Sequence, residues 1–143
     1  MKINQAMRTK TGEWEFIQET PLNNPLVLVF GDRMLLEDEG IYDEIRKLYP
    51  EGEIVFGSTS GEILETHVYK ETLTLTAIEF EKSEYKVISR NIKDFVDIQK
   101  MGAELSSAFD TEQLRHLFVV SDGSFVNGSG LIEGLEQVEG FKA

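Results

Sequence analysis

At 143 residues the chain has the length of one domain, and a domain of that size buries enough surface to need no disulfide or metal staple. It contains no cysteine, which excludes thiolate chemistry, zinc ribbons and disulfides and fits a reducing, cytoplasmic setting. Acidic residues outnumber basic ones 26 to 14, a net charge of −12, and that balance argues against DNA, RNA and anionic lipid, whose phosphates need a basic surface.

The elements follow in chain order. The start, Met1-Lys2-Ile3-Asn4-Gln5, lacks the apolar core of a secretory signal, and no run approaches the ~20 apolar residues of a membrane span. The turn Thr9-Lys10-Thr11-Gly12 leads into a first strand, Trp14-Glu15-Phe16-Ile17. After a loop with Pro21, Asn23, Asn24 and Pro25, the continuous apolar run Leu26-Val27-Leu28-Val29-Phe30 predicts a central strand covered on both faces. Ile41, Ile45 and Leu48 recur at helical spacing, and Pro50-Glu51-Gly52 ends that helix. A strand returns at residues 53–56.

Thr72-Leu73-Thr74-Leu75-Thr76-Ala77 alternates strictly and predicts a strand with one apolar face. Ala77 and Ile78 break the alternation, which predicts a bulge there. Tyr85, Val87 and Ser89 alternate with Lys86, Ile88 and Arg90, so residues 85–90 are expected to pair antiparallel across the loop at 81–84. Ile98, Met101, Leu105 and Ala108 space like a helix face, and Asp110-Thr111 closes it. A last strand is expected at residues 115–120, and Leu131, Leu135 and Val138 mark a helix opening near Ser129.

Parallel strands joined by helices, with an antiparallel hairpin in the middle, give a single α/β domain over residues 1–143 with a mixed sheet. There is no internal repeat. A helix close to the end, before Gly140-Phe141-Lys142-Ala143, would ordinarily lead into another strand, so the expected arrangement is one half of something larger or a short version of it. An exposed sheet edge follows from that expectation, and with it pairing to another copy.

Two loops carry the chemistry. Gly57-Ser58-Thr59-Ser60-Gly61-Glu62 sets three hydroxyls between two glycines, followed by a carboxyl, directly after a strand. Ser121-Asp122-Gly123 and Asn127-Gly128-Ser129-Gly130 follow the apolar run Leu117-Phe118-Val119-Val120 in the same way. Both loops are expected to face one hollow at the same rim of the sheet. The first resembles a nucleophile elbow only superficially, since Thr59 holds the central place and no helix follows. His67 and His116 are the only candidate bases for a hydrolase that uses a hydroxyl of this turn. Gly128, Gly130 and Gly134 miss the dinucleotide fingerprint by one residue, and no Gly-Lys-Ser/Thr phosphate loop occurs. Asp122, Glu62 and the histidines show no metal-ligand spacing, so neither metal nor cofactor is expected. Backbone N–H groups opening the last helix suit a carboxylate, the hydroxyls donate or accept, and Glu62 and Asp122 could receive an ammonium, a distribution that matches a zwitterion such as an amino acid. Ordinary capping and turn formation explain the same residues equally well.

The order of residues 57–63, preceded by the run at 26–30 and followed by Ser121-Asp122-Gly123 and Asn127-Gly128, resembles the N-terminal region of the FIST domain over about residues 26–138. The resemblance implies a cytoplasmic sensory domain of signal transduction that binds a small ligand, with amino acids or their derivatives the proposed class. It implies as partners a signalling output protein or a C-terminal FIST half. The family often carries Cys where this chain has Ser58, so thiol-dependent behaviour does not carry over. The expected ligand residues are Gly57, Ser58, Thr59, Ser60, Gly61, Glu62, Ser121, Asp122, Gly123, Asn127, Gly128 and Ser129. The rival readings are the hydroxyl-dependent hydrolase and a protein-interaction scaffold in which the glycine loops are only turns.

Overall fold

The computed structural model describes residues 1–9, 11–110 and 112–137; Lys10 in the first turn, Thr111 after the second helix, Val138 on the last helix face and the 140–143 terminus lie outside the described residues. The chain forms two compact units, Met1–Tyr85 and Lys86–Ala143.

The first unit is built on five strands: β1 (Lys2–Arg8), β2 (Trp14–Gln18), β3 (Leu26–Gly31), β4 (Glu53–Ser58) and β7 (Leu73–Glu79), in the order β2-β1-β7-β3-β4. Only β3 and β4 run parallel, and two helices connect them, α1 (Arg33–Leu36) and α2 (Glu39–Leu48). A parallel pair needs such a crossover because a short turn would reverse the chain. A separate two-stranded hairpin, β5 (Glu62–Leu64) with β6 (His67–Tyr69), lies between β4 and β7 in sequence. The fold is therefore α/β with a mixed sheet, as the sequence predicts.

The core lies on one face of that sheet. Val27 and Val29 of β3, Leu73, Leu75 and Ala77 of β7 and Ala6 of β1 pack with Ile41, Ile45 and Tyr49 of the α2 region. The expectation that β3 is covered on both faces is corrected: Val27 and Val29 are fully buried, while Leu26, Leu28 and Phe30 are only partly so. The central strand is β7. In α2, Leu48 is 41% exposed, and Tyr49 takes the inward place beyond the helix end. Asp38 caps the start of α2 by accepting from the Gly40 N–H. Arg46 closes its far end by donating to the carbonyls of Pro50 (3.0 Å) and Gly52 (2.7 Å).

Strand β1 is absent from the sequence prediction, and its composition explains the omission. The residues facing the core are Asn4, Ala6 and Arg8, so the inward set is polar. Each polar group is satisfied. Asn4 Nδ2 donates to the Thr20 carbonyl and to Tyr49 Oη, and Asn4 Oδ1 accepts from the Thr20 N–H at 2.7 Å. Arg8 donates twice to the Glu44 carboxylate, which also accepts from Trp14 Nε1. Burial pushes the Tyr49 phenol above its ordinary value, against the opposing effect of the Asn4 bond.

Two further expectations are corrected. Residues 85–90 form no strand, because both edges of β7 are already paired, with β1 on one side and β3 on the other. The hairpin in the middle of the chain is β5–β6 instead. No bulge occurs at Ala77 and Ile78, where both ladders keep register; the irregularity lies between Gln5 and Ala6 in the β1–β2 pairing.

The second unit packs α3 (Ile98–Ser107) on α4 (Gly128–Leu135) around Met101, Leu131 and Leu135, with Phe95, Ile98, Leu105, Leu117 and Val126 against them. The helices approach until backbone meets backbone. A Cβ on Gly134 would overlap the Gln99 carbonyl oxygen and come within 2.8 Å of its carbon. Residues 115–120 are irregular rather than a strand, with Phe118 59% exposed. Among the described residues this unit has no strand at all, and an apolar run without a ladder partner cannot satisfy its backbone as a strand. Among the described residues no helix is long and apolar enough to cross a membrane.

Candidate functional site

The hydroxyl-rich segment begins inside β4. Gly57 pairs with Phe30 and Ser58 with Gly31, so both are strand residues, and the turn proper starts at Thr59. Its first bond continues the parallel ladder, from the Thr59 N–H to the Gly31 carbonyl at 2.9 Å. Neither Gly57 nor Gly61 has a positive φ. The turn sits outside the carboxyl ends of the parallel pair β3 and β4, the end where open α/β sheets place their ligands.

The centre of this region is Glu62. It is 3% exposed, and each carboxyl oxygen accepts one hydroxyl: Oε1 from Thr59 Oγ1 and Oε2 from Thr72 Oγ1, both at 2.7 Å. Thr72 is itself buried, and its carbonyl accepts from the Asp32 N–H at 3.0 Å. Gly31 makes this convergence possible. A Cβ there would stand on the Thr72 carbonyl oxygen and within 2.6 Å of Leu73 Cδ2. Asp32 then caps α1 by accepting from the Met34 and Leu35 N–H groups. Gly31, Asp32 and Thr72 are supports that the sequence reading missed. Asp32 carried a signal, a capping residue directly before Arg33-Met34-Leu35-Leu36. Nothing local marks Thr72 as a neighbour of Glu62.

Ser58, Thr59 and Ser60 are exposed, and Gly61 is half-buried. The hydroxyls of Ser58 and Ser60 bond to nothing among the described residues, whereas that of Thr59 is committed to Glu62. His67 lies on β6, and its Nδ1 meets Thr66 Oγ1 at 3.3 Å, with no hydroxyl of the turn as partner. His116 is exposed within the irregular 115–120 segment.

The second loop belongs to the second unit. Asp122 Oδ1 accepts from the N–H groups of Ser124 (2.7 Å) and Phe125 (3.0 Å), and the Val126 N–H returns to the Asp122 carbonyl. This is an aspartate-built turn. The cap of α4 is Asn127, whose Oδ1 accepts from the Gly130 N–H at 3.3 Å, so the helix opens at Gly128 and Ser129 stands in its first turn. Ser121, Asp122, Gly123, Asn127, Gly128 and Ser129 are all exposed.

The first unit has a cleft of about 220 Å³ between Asn23, Asn24 and Pro25 on one side and Tyr49, Pro50 and Glu51 on the other. It lies at the amino ends of β3 and β4, and none of the residues of the two glycine loops lines it. Among the described residues no group of three or more His, Asp or Glu is placed to hold a metal.

The family model described as the FIST N domain matches residues 25–142, which include both glycine loops. No curated protein and no solved structure matches the chain.

Proposed function

Since the chain belongs to the FIST N domain family, a family of sensory signal-transduction domains and not a known enzyme family, we propose that it is a small-ligand-binding sensory domain whose ligands are amino acids or related zwitterions. The observation that carries this reading is the family match across the turn at residues 57–62. Its support is local chemistry. Ser58 and Ser60 present hydroxyls without partners among the described residues, at the sheet end where ligands are taken. The contacts proposed for the first unit are Gly57, Ser58, Thr59, Ser60 and Gly61. Those proposed for the second unit are Ser121, Asp122, Gly123, Asn127, Gly128 and Ser129.

Binding would act by shifting a conformational equilibrium seen by a signalling output partner or a C-terminal FIST half. A ligand shifts such an equilibrium only by its differential affinity for the two states. Isothermal titration of the chain against the L-amino acids, with matched amines and carboxylates as controls, tests the reading. A zwitterion is expected to bind and its single-charge analogues to bind more weakly. Replacing both Ser58 and Ser60 by alanine should weaken binding about tenfold, since a lost hydrogen bond is worth roughly 0.5–1.5 kcal/mol. Silence from the whole panel would reject amino acids as the ligand class.

A further inference from the structure

Resting on that reading of the turn, we propose that Glu62 is its positioning residue: a buried carboxyl group that binds Thr59 to Thr72 and leaves the Ser58 and Ser60 hydroxyls as the groups offered to a ligand. Glu62 thus acts on the ligand through the turn and does not receive an ammonium itself.

The argument is geometric. An ammonium needs a carboxyl oxygen that it can reach, and Glu62 is 3% exposed with a hydroxyl on each oxygen. Displacing the buried Thr72 hydroxyl would strand a polar group away from water, which costs more than an ordinary hydrogen bond returns, and the Thr59 hydroxyl covers the other oxygen from the outer side. The same two hydroxyls close a ring of contacts. Thr59 is held to Gly31 through its N–H, Thr72 is held to Asp32 through its carbonyl, and Glu62 joins the two threonines across ten residues of sequence on one side and three on the other. Gly31 and Asp32 are consecutive, so the ring fixes the turn to the ends of β3 and β7 together. The Thr59 hydroxyl is thereby drawn inward, and the flanking Ser58 and Ser60 hydroxyls stay outside it. A turn already fixed loses less freedom on binding, which is how a residue that never touches a ligand raises affinity.

Amide hydrogen exchange on the whole chain tests this without any ligand, because the Thr59 N–H is bonded to the Gly31 carbonyl and reports the turn. Glu62→Ala and Thr59→Val should each speed exchange at Thr59 at least tenfold while the β7 amides change less than twofold. Glu62→Gln should stay within threefold of wild type, since its amide can accept one hydroxyl and donate to the other. Should Glu62→Ala fail to fold, Thr59→Val, altered on the exposed side, carries the test. Titration with any L-amino acid that binds wild type adds a readout that a merely structural role would not move. Glu62→Gln should keep the affinity within threefold and Glu62→Ala should lose at least tenfold. Unchanged exchange at Thr59 in Glu62→Ala overturns the proposal, as does acceleration spread evenly through β7. So does a Glu62→Gln chain with wild-type exchange and lost binding, the signature of a direct contact. If wild type binds no amino acid, the ligand reading fails by itself, and the exchange comparison alone decides the positioning role.

Discussion

Replacing Gly31 by alanine probes the convergence on which the site depends. Its φ is not positive, so the backbone accepts alanine and only the space refuses it. The added Cβ would stand 2.6 Å from Leu73 Cδ2 and 2.9 Å from Leu73 Cα, against the 3.4 Å at which ordinary contact begins, and it would collide outright with the Thr72 carbonyl oxygen. A flexible side-chain end could swing aside, but the Thr72 carbonyl and the Leu73 Cα are backbone. The start of β7 must therefore move by nearly an ångström away from β3. That displacement breaks the bond from Asp32 N–H to the Thr72 carbonyl and pulls Thr72 Oγ1 from Glu62. Overpacking of this kind costs about 1–3 kcal/mol, and each lost hydrogen bond adds roughly 1 kcal/mol. With both bonds lost the expected loss is therefore about 3–5 kcal/mol, which for a unit of this length corresponds to a fall in melting temperature of roughly 12–40 °C. Thermal unfolding followed by far-ultraviolet circular dichroism, with urea titration at unchanged m-value, measures it. Gly123→Ala, with nothing within 4 Å of its Cβ, is the control and should shift stability little. A Gly31→Ala chain within 0.5 kcal/mol of wild type (an order-of-magnitude threshold for surface changes) would refute the close approach of β3 and β7 at the turn.

Two other outcomes follow from the same structure. Gly134→Ala forces its Cβ onto the Gln99 backbone, so α3 and α4 must separate; stability should fall by about 2–3 kcal/mol, and exchange should quicken in both helices. Unchanged exchange there would contradict the packing. The Glu79 carboxyl accepts from the Asn23 N–H at 2.7 Å and from Lys2 Nζ at 3.1 Å, and the Asn23 bond first, then Lys2, hold it below the usual glutamate value of 4.5. A carboxyl lowered by folding stabilises above the unfolded value and loses that contribution as pH falls through the folded one. Glu79→Gln should therefore be less stable than wild type at neutral pH, and the gap should close on acidification below about 4.5. Equal stability of the two chains at all pH values would refute the assignment.

Local pattern alone was enough for most of the elements. The apolar runs and spacings at 14–17, 26–30, 41–45, 53–56, 73–77, 98–105 and 131–135 each became the strand or helix their periodicity implies, because that periodicity records which face is buried. That a glycine-bounded hydroxyl cluster leaves β4 was legible too, although the strand runs on through Gly57 and Ser58 and the turn starts only at Thr59. Decisions that involve a second segment were not legible. Strand β1 hid because its inward residues, Asn4 and Arg8, are polar and find partners in Thr20, Tyr49 and Glu44, far along the chain. Residues 85–90 carry a strand pattern but meet a β7 whose edges are full, and residues 115–120 carry one with no strand beside them among the described residues of their unit. Glu62 shows the same division most sharply. Its sequence neighbours mark it as a carboxyl in a polar loop open to a ligand, and only the tertiary structure covers it and brings Thr72 to its second oxygen. Side-chain periodicity is a property of one segment, whereas ladder pairing, burial and hydrogen-bond satisfaction depend on what the rest of the chain puts opposite.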